Sequence, residues 1–232
     1  MKRWILPALI SGLIALVAFL PLGWVAGFAV PDNIKSLAPD LDYHGTVWNG
    51  TVTGLPIFGA ANVDITPLSR RALIHSGQGQ NYLSADIGTR SAKDVDLRVN
   101  LATIPFTDGR LQGLRGMLNA QISDMQIENQ SCTSANGTVT TDVLQRNGGT
   151  VQWTGPELTG PIRCEEGALI ADLKGRDSMQ TISALIRMSP DNTYRVDINV
   201  RTARVEADAV LPIFGFTRSG KNFVLVEQGR WR

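Results

Sequence analysis

Aromatic residues are scarce: seven Phe, five Trp and three Tyr make up 6% of 232 residues. There are only two cysteines and two histidines. A net charge of +1, from 22 Lys+Arg against 21 Asp+Glu, removes the basic excess with which a duplex-binding domain neutralises phosphates, and so argues against a nucleic-acid partner. The sequence also lacks a Gly-x-Ser-x-Gly elbow, a His-Glu-x-x-His helix motif and any Ser, His, Asp set that spacing would nominate. His44 and His75 lie far apart and have no ligand spacing between them or with the cysteines. No catalytic residue, cofactor-binding residue or metal ligand can be named, and the chain is expected not to be an enzyme.

Charge is missing in one place above all. Between Lys2-Arg3 and Asp32 there is no charged residue, and Ile5–Val30 is long enough to cross a hydrocarbon core of ~30 Å. Lys2 and Arg3 would hold residues 1–4 in the cytoplasm, so the remainder should emerge on the far side. A cleaved signal peptide would carry a shorter apolar region, which favours a single-pass signal anchor over 5–30, although Gly27-Phe28-Ala29 offers a cleavage pattern. Gly23 to Gly27 also fits a close-approach helix-pairing motif, which here reads as small residues near a helix end. A linker follows at 31–41 and an exported domain at 42–232, with 20 basic and 21 acidic residues left after the two that precede the span.

What is present in the exported domain is mostly period two. Val95, Leu97, Val99 and Leu101 alternate with Asp96, Arg98 and Asn100; Met117, Ala120, Ile122, Met125 and Ile127 form a looser series; Tyr194, Val196, Ile198 and Val200 alternate with Arg195, Asp197 and Asn199. Such alternation marks antiparallel strands with one wet face. Turn signals fall at Thr107-Asp108-Gly109, Asn136-Gly137, Asn147-Gly148-Gly149 and Ser189–Asn192, the last joining Ile182–Met188 to Tyr194–Val200 as a hairpin. Only Arg204–Leu211 suggests a helix, ended by Pro212. The expected fold class is mainly β: an N-terminal transmembrane helix, then a curved, mostly antiparallel sheet. Leu55–Gly59 recurs as Leu211–Gly215, and Gly45–Thr51 is echoed by Gly149–Gly155, which suggests two related β halves.

Cys132 and Cys164 both fall on the exported side, where the compartment is oxidising and an even pair is more often bonded than free. A bridge there would contribute about 3–4 kcal/mol by restricting the unfolded chain. Other constellations have plainer readings. Gly215–Asn222 matches a phosphate loop up to Asn222, which stands where Ser or Thr would hold magnesium, and it lacks the following helix; it reads as a turn between strands. Glu165 and Glu166 point to opposite faces of a strand, while Asp94 and Asp96 share a solvated one. The glycosylation sequons at Asn49, Asn129 and Asn136 read as turn chemistry. Trp48 and Trp153 read as core or rim aromatics.

The basic start and single anchor, then Gly45-Thr46-Val47-Trp48-Asn49-Gly50, Cys132 with Gly137, Gly160 with Cys164 and Gly167, and Gly229-Arg230-Trp231, resemble in their order the type II secretion system protein N family (general secretion pathway protein N). The resemblance covers nearly the whole chain. It implies an accessory, non-enzymatic inner-membrane component with a periplasmic body, whose partners are other secretion subunits in the inner membrane or periplasm; Cys132 and Cys164 match the family's cysteine positions. A rival reading is a periplasmic lipid- or lipopolysaccharide-handling module, in which Val95, Leu97, Val99, Ile122, Ile127, Val196 and Ile198 line an apolar groove.

Overall fold

A computed structural model describes residues 19–29, 40–55, 57–66, 69–104 and 113–230. Fourteen strands form one antiparallel sheet in a near-perfect meander. In order these are β1 (Asp42–Gly45), β2 (Gly50–Leu55), β3 (Gly59–Thr66), β4 (Arg71–Gln78), β5 (Asn81–Gly88), β6 (Ser91–Asn100), β7 (Met117–Glu128), β8 (Ser131–Thr141), β9 (Leu158–Glu165), β10 (Ala168–Arg176), β11 (Gln180–Met188), β12 (Thr193–Thr202), β13 (Thr217–Ser219) and β14 (Asn222–Arg230). Each strand pairs with the next as far as β12; there β14 takes the next place and β13 lies outside it. Tight connections are what keep sequential strands adjacent. Asn129-Gln130 (φ 50° and 66°) and Glu166-Gly167 (φ 51° and 81°) adopt left-handed pairs, whose twist matches that of the flanking strands.

Register places the alternating apolar residues on one face. Ile182 opposes Val200, Ala184 opposes Ile198 and Ile186 opposes Val196, while Leu173 continues the row from Ala184. The other face is charged: Arg187 sits opposite Arg195, and ion pairs join Arg195 to Asp197 at 2.8 Å and Arg187 to Glu166 at 3.1 Å. Exposed pairs of this kind contribute little to stability. The apolar face must be covered, and in the second half of the sheet two connections cover it. The chain leaving β8 forms α2 (Val143–Arg146), α3 (Gly148–Val151) and then Trp153; the chain leaving β12 forms α4 (Ala207–Val210) and a 3-10 turn, Leu211–Phe214. Between these and the sheet lies the main core, including Trp153, Leu158, Leu173, Ile182, Val200, Leu211 and Phe223.

Two polar side chains hold the first cover in place. Buried Asn147 accepts from the Arg115 N–H (2.9 Å) and donates to the carbonyls of Arg115 and Val143 (2.6 Å each). Asp142 accepts from the Met117 N–H at 2.6 Å and from Arg146 Nε at 2.8 Å. Burial pushes the Asp142 carboxyl up, but those hydrogen bonds and the Arg146 charge outweigh burial and hold it below the usual range. A lowered folded-state value means stability that is present above the unfolded value of ~3.9 and is lost as pH falls through the folded one. Asp142→Asn is therefore expected to lower the melting temperature at pH 7 and to flatten its fall between pH 4 and pH 2, read by thermal melts across pH.

Several expectations change. Residues 1–18 and 30–39, which carry most of the expected anchor and linker, and Thr107–Gly109 lie outside the described residues. The described part of the span, 19–29, holds an eight-residue helix, α1 (Leu22–Ala29), and among the described residues no helix is long and apolar enough to cross a membrane. Asn136-Gly137 is no turn: it lies inside β8, where a Cβ on Gly137 would stand 2.6 Å from the Gln121 carbonyl, so glycine serves close strand approach. Asn147-Gly148-Gly149 joins α2 to α3. Pro212 opens the 3-10 turn where a missing N–H costs nothing, so it does not end the helical stretch. Among the described residues the strands form a single series, and the two sequence echoes do not fall in matching places. Gly45–Thr51 runs from β1 through a tight turn into β2, whereas its echo is helix end and loop; Leu55 and Gly59 flank the β2–β3 turn, whereas Leu211–Phe214 is a 3-10 turn.

Candidate functional site

The most specific stretch of the sequence, Gly45 to Gly50, is the turn that joins β1 to β2. Gly45 has φ +80°, the Thr46 N–H closes onto the Asn49 carbonyl at 3.1 Å, and the Val47 N–H reaches back to the Leu20 carbonyl at 3.0 Å. Pro21 bridges Thr46 just ahead of α1, and Leu22 and Ala26, one helical turn apart on α1, are buried. A Cβ on Gly50 would lie 2.9 Å from the Thr46 carbonyl and closer still to the Leu22 side chain. The glycine is thus the seat on which α1 rests. Gly50→Ala is expected to speed hydrogen exchange in Leu22–Ala26 by at least tenfold while β9 to β12 stay protected.

The seam between β8 and β9 is the second feature. Their ladder runs only from Gly137↔Ile162 to Thr141↔Leu158, and Pro161, opposite Thr138, has no N–H to contribute. Beyond the end of that ladder Cys132 and Cys164 form a disulfide with Cα atoms 5.5 Å apart, and the Cys132 N–H donates to the Gly167 carbonyl at 2.9 Å.

The third feature is a cavity of about 450 Å3 between the sheet and its covers. β11, β12 and β14 form the floor; Leu144, Trp153, Phe214 and Phe216 close over it. Of the seven residues expected to line an apolar groove, Val196 and Ile198 line this cavity. Leu97 and Ile122 instead pack against the main core, Val99 is buried, Val95 is half-buried and Ile127 is exposed beside Cys132. The alternation had placed them on one face but could not show how far the covers extend. The aromatics of the roof escaped the sequence reading because Phe214 and Phe216 fall in irregular chain with no period; Trp153 had been read as core or rim.

The remaining nominated residues do not assemble into a reactive site. Asp94 (φ 49°) sits where β6 bulges against β5, beside the bulge of β7 against β8, and with Asp96 it borders a shallow, open surface pocket. Glu165 pairs with Arg163 and Glu166 with Arg187. His44 contacts Asp42 at 3.1 Å, and His75 Nδ1 meets Ser84 Oγ at 3.0 Å. Gly215–Asn222 runs through β13 into β14 around Gly220, φ +61°. Among the described residues no group of three or more His, Cys, Asp or Glu could hold a metal ion.

The family model described as type II secretion system (T2SS), protein N, matches residues 42–222. The chain belongs to the type II secretion system protein N family. The matched span opens on the first residue of β1 and closes on the first of β14, so the glycine seat, both cysteines and the cavity roof all lie within the protein N portion. Membership makes the chain an envelope-associated component of the type II secretion machine, concerned with protein transport. No curated protein and no solved structure matches the chain.

Proposed function

We propose that this protein N is an accessory, non-enzymatic part of the secretion machine, anchored in the inner membrane by residues 5–30, with residues 42–232 in the periplasm docking on other secretion subunits. Lys2 and Arg3 ahead of the uncharged run support that orientation, and the disulfide suits an oxidising compartment.

The observation that carries the docking reading is an open sheet edge. β13 pairs with β14 only from Asn222 to Val224, so Leu225–Arg230 is bonded to β12 on one side and, among the described residues, has no strand on the other. A row of unpaired N–H and C=O groups is a template for an added strand, and a partner's extended segment would gain main-chain hydrogen bonds there while alternate side chains set specificity. Val226, half exposed, is the second residue of that edge. A photo-cross-linking residue at position 226 is expected to capture a periplasmic secretion subunit in secreting cells. Adducts confined to cytoplasmic proteins, or none while secretion proceeds, would contradict the proposal.

A further inference from the structure

The cavity under the roof is closed at one end and open at the other. Along β12 Val200 is 1% exposed whereas Ile198, Val196 and Tyr194 are half-buried; along β14 exposure rises from buried Phe223 through half-buried Leu225 to exposed Glu227. Leu211, 1% exposed, seals the deep end. A volume of about 450 Å3 falls in the range of small-ligand sites.

We propose that this cavity holds one acyl chain of a phospholipid with an ammonium headgroup, the chain end beside Val200 and the headgroup at Glu227. In the floor the backbone groups of β12 are engaged in the β11–β12 and β12–β14 ladders, the unpaired groups of β14 lie in the plane of the sheet at its outer edge and not on the face under the roof, and the Asn147 amide in the wall is already bonded to Arg115 and Val143. A peptide in the cavity would find one free donor, the Trp153 indole N–H, and would bury its other N–H and C=O groups without partners, which is costly, whereas a hydrocarbon chain has none to lose. Away from the mouth, a buried water, which needs about three partners, would find one free donor, the Trp153 indole N–H. Among the described lining residues Glu227 is the only one that carries a charge at neutral pH, and it forms no ion pair among the described residues, so the mouth favours a cation over a free carboxylate or an anionic headgroup. The site goes beyond the docking role, and its test does not read secretion.

The test is native mass spectrometry of the full chain, stripped of lipid and offered ethanolamine-headed phospholipid, glycerol-headed phospholipid or free fatty acid in turn. The expected result is one ethanolamine phospholipid per chain, bound at least tenfold more tightly than the other two, with Glu227→Lys reversing the preference towards the glycerol-headed lipid. Ile198→Trp, or Leu225→Trp should the first fail to fold, fills the cavity and is expected to abolish binding while the melting temperature stays within a few degrees. Equal uptake by a folded plugged variant would place the lipid elsewhere and overturn the proposal. So would no uptake by the wild type, or a preference for fatty acid.

Discussion

Alanine at Trp153 is expected to lower the unfolding free energy by about 3–5 kcal/mol, whereas phenylalanine is expected to cost less than about 1.5 kcal/mol. Trp153 is 6% exposed and belongs to the main core, where the roof meets the sheet over Leu158, Ile182 and Val200. Alanine removes the ring and leaves a void that rigid strands cannot collapse into. Phenylalanine keeps most of the ring volume. It also deletes a buried indole N–H that has no acceptor among the described residues, and an unsatisfied buried donor costs about 1–3 kcal/mol. Both variants delete that donor, so the relief is common to them and the difference between them is the packing loss, large for alanine and small for phenylalanine. Urea unfolding of lipid-free protein separates them, with the slope unchanged in both variants. A phenylalanine variant as unstable as the alanine one would mean that the indole N–H has a partner after all.

Replacing Cys132 and Cys164 together with serine is expected to cost about 3–4 kcal/mol and roughly 10 °C in melting temperature. The bond closes a loop of 32 residues in sequence, and its position matters as much as its length. It fastens β8 to β9 beyond Gly137↔Ile162, where their short ladder has stopped, at the end of the seam away from the long connection through α2 and α3. Hydrogen exchange should therefore rise first along Gly137–Thr141 and Leu158–Ile162. Reductant is expected to reproduce the loss in wild-type protein and to change nothing in the double variant; a full-sized loss without the seam opening would place the effect wholly in the unfolded chain.

The strands were legible because alternation is local: Tyr194, Val196, Ile198 and Val200 occupy one face in the structure as their spacing requires, and Ser189–Asn192 turns where Pro, Asp and Asn direct it. The Asp191 side chain accepts from the Thr193 N–H and hydroxyl to close that turn. Glycines were less legible, because one that permits a turn and one that permits close packing look alike. Gly45 bends the chain, whereas Gly137 and Gly160 let neighbouring strands approach inside the sheet. The short helices of the roof have four residues each and no apolar period; packing on the sheet sets them, not propensity. The cavity is the meeting of that roof with the sheet, so only its floor was written in a pattern. The open edge of β14 was invisible for a related reason, since it depends on how little of β14 the three residues of β13 cover.

Release of exported proteins by a deletion strain complemented with Val226→Lys tests the docking account most directly. Lysine at an edge strand resists strand addition without disturbing the pairing with β12, so the folded variant should fail to restore release while the wild-type gene restores it, with the outer-membrane lipid profile unchanged in both. Normal release from the deletion strain itself, or full rescue by Val226→Lys, would contradict it.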